Sequence, residues 1–148
     1  MNLTARIESD ALAAMKAREE VRLGVLRMLK TAAKLRQVEL KRPLDDAEML
    51  DVIARQVKQR RESVTQFAAA GRADLVAKEE REIEVLATYL PAPLSDAELA
   101  AAVDAAVAEL EAHSMKDMGR VVQFVLAAHK GRVDGKRVSD AVKTRLSA

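Results

Sequence analysis

The chain has 148 residues, of which 49% are hydrophobic, 32% charged and only 2% aromatic, with a net charge of +2. Its 28 alanines and 17 leucines favour helix, and the mix of β-branched and aromatic residues that fills sheets is missing, so the composition predicts an all-α protein. The absence of cysteine excludes disulfides, zinc ribbons and thiol chemistry. With no apolar run near the roughly 18 residues of a membrane span and no charged-then-apolar leader, the expectation is a soluble cytoplasmic protein.

Helix signals follow in order along the chain. Asn2 is placed to cap a first helix running to about Lys16, with Leu3, Ile7, Ala11 and Ala14 on one side. A second helix, from about Arg18 to Lys41, stops before Pro43 because proline cannot continue it. Asp45 with Glu48 reads as a capping box opening a third helix, which Gly71 ends. A fourth runs from about Asp74 to Tyr89. Pro91 and Pro93 then stiffen a connector and divide the chain into residues 1–90 and 91–148. Beyond it, Ser95 with Glu98, Ser114 with Asp117, and Asp134 before Gly135 mark three further helix starts. The expected architecture is an amino-terminal bundle of about four helices followed by a three-helix module.

Charges interrupt several apolar stripes. In the third helix, Arg60 falls among Met49, Ile53, Val57, Val64 and Phe67; in the fourth, Glu79 and Glu82 lie among Leu75, Ile83, Leu86 and Leu90. A charge inside an apolar stripe is costly unless paired. A hairpin turning at Gly71 sets Arg60 level with Glu82 and one turn from Glu79, so an ion pair is expected there.

On a larger scale, residues 16–42 carry nine Lys/Arg against three acids, residues 91–115 carry five acids and no Lys/Arg, and residues 116–148 carry eight Lys/Arg against three acids. Such segregation can mark a polyanion-binding surface. The simpler reading is helix faces whose charges cancel across neighbouring helices.

No catalytic constellation is legible. His113 and His129 lack metal-ligand spacing, and there is no nucleophile elbow, P-loop or dinucleotide fingerprint, so neither metal nor cofactor is expected. Phe67, Tyr89 and Phe124 occupy apolar helical positions and read as core rather than as stacking platforms for bases. Binding through cations remains. Lys116 and Arg120 flank Gly119, and Lys130, Arg132, Lys136 and Arg137 surround a Gly-containing turn that ends at a helix start, where free N–H groups favour phosphate. An ordinary turn with basic flanks is the equal alternative. Arg27, Lys30, Lys34 and Lys41 line one exposed face of the second helix as a secondary basic face, for which a membrane surface is a rival partner.

Several segments taken together resemble the GatB/YqeY family of small helical proteins. They include Arg27-Met28-Leu29-Lys30, Lys58-Gln59-Arg60-Arg61-Glu62-Ser63, Gly71-Arg72-Ala73-Asp74-Leu75-Val76 and Glu84-Val85-Leu86-Ala87-Thr88-Tyr89-Leu90-Pro91, then Asp117-Met118-Gly119-Arg120-Val121 and Asp134-Gly135-Lys136. Each is weak alone, but the ordered set spans nearly the whole chain. The resemblance implies a two-part all-α fold related to the tail of the B subunit of the glutamine-dependent amidotransferase that acts on mischarged Glu-tRNA or Asp-tRNA. It implies a non-catalytic tRNA-binding accessory protein, with tRNA, an aminoacyl-tRNA synthetase or the amidotransferase as partners. Carbon–nitrogen ligase activity with glutamine as amide donor belongs to the full assembly, and this sequence lacks the amidase signature and ATP site needed to perform it alone. A component acting only with partner subunits and a helical protein–protein adaptor are the alternative readings.

Overall fold

The computed structural model describes residues 2–148. Among them are seven helices and no strand: α1 (Leu3–Ala17), α2 (Glu20–Leu40), α3 (Asp46–Ala69), α4 (Ala73–Ala87), α5 (Asp96–Leu110), α6 (Met118–Ala128) and α7 (Gly135–Leu146). The capping signals act as their chemistry requires. Asn2 accepts from the Ala5 N–H, and both Asp45 with Glu48 and Ser95 with Glu98 form complete capping boxes, satisfying amides that a helix start leaves open.

The differences from expectation lie at helix ends. Arg18 does not begin α2; it ends α1 in the left-handed region at φ 58, its N–H donating to the carbonyls of Ala14 and Met15. The helix before the prolines ends at Ala87 rather than Tyr89. There the Tyr89 and Leu90 amides close tighter turns onto Leu86 and Ala87, since proline disfavours helical backbone in the residue before it. Ser114 opens only a 3₁₀ turn, Met115–Asp117, which leads directly into α6.

The chain forms two compact units, one ending at Leu90 and the other spanning residues 91–148. In the first, α3 and α4 make the most extensive helix pair, joined at Gly71, whose φ of 71 is a conformation glycine adopts without Cβ strain. Its core contains Ile7, Leu26, Leu29, Met49, Ile53 and Leu86, each at most 2% exposed. The polar end of Tyr89 is satisfied within this unit: its hydroxyl donates to Asp10 at 2.6 Å while Arg6 lies 4.8 Å over its ring.

In the second unit, α5, α6 and α7 each pack on the other two. Val103, Val121, Val125, Val138 and Val142 fill the space between them, with Leu94 and Leu99 closing one side. Compact valines and alanines allow close helix approach with little aromatic volume.

Candidate nucleic-acid interface

The six cations singled out in the second unit separate by residue type and by place. Arg132 follows Gly131, which turns the chain after α6 at φ 77. The Arg132 carbonyl accepts from the Leu94 N–H at 2.9 Å, and its Nε donates to the Ala92 carbonyl at 2.9 Å. Arg137, in the first turn of α7, donates from Nη2 to the Leu94 carbonyl at 2.9 Å and to Asp96 at 3.0 Å. The basic turn therefore clamps residues 92–96 onto its own unit. Arg132 also lies 3.9 Å from Glu98, and Arg145 pairs with Asp104 at 2.8 Å. The acidic α5 thus neutralises three arginines of the basic segment, much as the reading of cancelling charges expects.

The lysines are placed differently. Lys116, Lys130 and Lys136 are exposed. Arg120 is also exposed, though Asp117 holds it at 2.8 Å, and the Asp117 carboxyl lies below its ordinary pKa because the His113 N–H and then Arg120 favour its charged form. Lys116 and Arg120 flank the start of α6, while Lys130, Arg132 and Lys136 gather beyond its end. At 1.5 Å of rise per residue, Met118 and Ala128 at the two ends of α6 stand about 15 Å apart. The predicted cations accordingly lie towards the two ends of α6 rather than in one patch.

The backbone contribution is smaller than the sequence suggests. Asp134 accepts from the Arg137 N–H at 2.9 Å, so the α7 start carries its own carboxylate where a phosphate was expected to find free amides. The short polar side chain that begins a helix so reliably is the same one that competes for its N–H groups.

Two residues escaped the sequence reading. Phe124, assigned to the core, is 39% exposed on α6, four residues from Arg120 and hence on the same face. Helix α6 carries Arg120 and Gln123 on one side and buried Val121 and Val125 on the other, so the four-residue spacing from Arg120 was the signal that sets Phe124 at the outer side. Lys143 joins the end occupied by Lys116, because Ser147 Oγ reaches Met115 Sδ at 3.5 Å and brings the end of α7 beside the 3₁₀ turn. That neighbour is created by the α6–α7 hairpin and has no local signal.

In the first unit, Arg27, Lys30 and Lys34 are exposed on α2 as expected, and Lys30 and Lys34 border a groove with Thr4, Glu8 and Gln37. Among the described residues, no group of three His, Cys, Asp or Glu side chains could hold a metal ion, and no helix is long and apolar enough to cross a membrane.

These features define an all-helical protein whose second unit carries exposed cations at both ends of one helix. The chain matches the model of the family described as Yqey-like protein over residues 4–146 and belongs to that family. It is similar to the protein named altered inheritance of mitochondria protein 41, mitochondrial, from Eremothecium gossypii, at 36% identity over 72% of this chain and 60% of that protein. The protein of the same name from Lachancea thermotolerans is 27% identical over 96% of this chain and 80% of its own length. That from Saccharomyces cerevisiae is 31% identical over 57% of this chain and 46% of its own length. The expectation of a cytoplasmic location is overturned by these names, which place the relatives in mitochondria. Neither missing cysteine nor a missing apolar span distinguishes one aqueous, reducing compartment from another.

Proposed function

We propose that this Yqey-like protein is a non-catalytic accessory protein that binds tRNA through its second unit, a three-helix module related to the amidotransferase tail and preceded by a four-helix bundle. The observation that supports this reading is the division of labour among the cations. Arg132 and Arg137 are held by backbone carbonyls and α5 acids, whereas Lys116 and Lys136 stand exposed at opposite ends of α6. Two such ends, about 15 Å apart, fit separate phosphates of a folded RNA, which is recognised chiefly by shape and backbone. Lys130 and Arg120 add charge at either end. Phe124 offers an exposed ring beside Arg120 on which an unpaired base can stack.

The test is a salt titration of tRNA affinity for the native chain and for Lys116→Gln/Lys136→Gln. Each phosphate that the variant no longer neutralises should flatten the dependence on log salt by about 0.7–0.9. Equal slopes and affinities remove these lysines from the site. Glutamine- and ATP-dependent turnover by the isolated chain would instead establish the ligase reading.

A further inference from the structure

We propose that the solvent face of α2 is a docking seam for an acidic amphipathic helix of a partner protein. This goes beyond the tRNA reading and rests on a different unit. Val21, Met28 and Leu35 recur every seven residues, and Gly24, Thr31 and Val38 fall three positions after each. The seven-residue spacing of Val21, Met28 and Leu35, with Val38 beside them, is that of a helix that packs along another helix, although Gly24 and Thr31 add no apolar bulk. Apart from the Arg60 contact to Met28, this face is left open: Val21 is 49% exposed, Met28 57%, Leu35 64% and Val38 68%. The buried face of the same helix, formed by Val25, Leu26, Leu29 and Ala33, is separate and already packed in the core. The exposed seam extends about 26 Å at 1.5 Å per residue, enough for a partner helix to engage it over more than two heptads.

The chemistry of the seam selects its occupant. Gly24 lies between Val21 and Met28 and leaves a hollow for an incoming side chain, since a Cβ there would meet nothing within 4 Å. Met28 is braced from behind, where Arg60 Nη2 lies 3.6 Å from its sulfur. Arg27, Lys34 and Lys41 form one continuous edge of the seam. In an antiparallel pair of α2 helices that basic edge would face itself, and like charges there are unfavourable. A parallel copy would present the other edge, where Val25 is buried and Glu39 is already held by Arg36 at 2.7 Å. A bilayer surface is less suited, because the seam has no aromatic anchor and the hollow at Gly24 fits the knob of a helix. An apolar stripe with glutamates along the flank that meets Arg27, Lys34 and Lys41 complements both features.

The probe is a labelled three-heptad peptide of about 21 residues with isoleucine and leucine at the seam positions and glutamate on the flank that meets the basic edge. It is titrated against the full chain and against Leu35→Glu, which alters an exposed side chain and whose fold is checked by circular dichroism. Saturable binding that weakens on the order of tenfold or more in Leu35→Glu, with a lysine-flanked version of the peptide failing to bind, is the expected result. Equal binding by native chain and variant overturns the seam. Self-association of the chain that Leu35→Glu abolishes replaces the partner with a second copy. Flotation with phosphatidylglycerol vesicles, lost in Leu35→Glu while the peptide does not bind, replaces it with a membrane. The same variant retains native tRNA affinity and salt dependence, so failure here and failure of the tRNA reading are separately visible.

Discussion

Arg60 of α3 and Glu82 of α4 form an ion pair across the hairpin turned at Gly71, and Glu79 lies 3.2 Å from the same Arg60 nitrogen. The Arg60 side chain is 9% exposed, and those of Glu79 and Glu82 are 17% and 16% exposed. Two carboxylates share one buried guanidinium, so their removal should have unequal effects. Arg60→Met leaves both acids unpaired and should destabilise the chain by about 3–5 kcal/mol. Glu82→Gln leaves Arg60 with Glu79 and should cost only about 1–2 kcal/mol. Denaturant unfolding of both single variants and the double variant checks this; additive losses would show that the pair is uncoupled.

Tyr89 is the chain's one tyrosine, and there is no tryptophan, so ultraviolet titration reads it alone. Burial, followed by its hydrogen bond to Asp10 and that carboxylate's charge, pushes the phenol up to about 12. A raised folded pKa means that the stabilisation is complete below the ordinary value near 10 and fades as pH rises from there through about 12. Asp10→Asn should bring the titration midpoint down towards 10. An unchanged midpoint would assign the shift to burial alone.

Glu48 shows the opposite sign. Arg42 grips its carboxylate with bonds of 2.6 and 2.7 Å and the Asp45 N–H adds a third, lowering its pKa to about 2. A lowered folded pKa places the linked stability above the ordinary value of 4.5 and removes it as pH falls towards 2. Thermal unfolding across that window should show a shallower acid decline in Glu48→Gln than in the native chain. Parallel curves would remove Glu48 from the acid response.

The connector offers a test of the two-unit organisation proposed from sequence. Residues 92–94 are held by three hydrogen bonds: Leu94 N–H to the Arg132 carbonyl, Arg132 to Ala92, and Arg137 to Leu94. Native chain should therefore resist a broad-specificity protease at residues 91–95, whereas Arg137→Met should be cut there faster and yield a fragment of roughly 90 residues. Cleavage within either half, with the connector intact in both proteins, would count against this account.

Much of the fold was legible because its determinants are local. Asp45 with Glu48 and Ser95 with Glu98 became complete capping boxes, since each needs only residues one turn apart. The Arg60–Glu82 pair was also legible, although it spans 22 positions, because one glycine turn fixes the register of the two helices beside it. The candidate site was less so. Sequence named candidate cations but grouped Arg132 and Arg137 with Lys136, and only the path of residues 92–96 beside that turn engages the arginines internally.

The sequence by itself determined an all-helical chain, its main helix starts and the charges that must be paired. These follow from propensity, capping and hydrophobic period, all of which act within a few residues. Tertiary structure decided which cations stay exposed and that Val21, Met28, Leu35 and Val38 form a largely open face. Exposure belongs to a side chain only after its neighbours are in place. A helix that is apolar on two sides carries no local record of which side its own fold will bury.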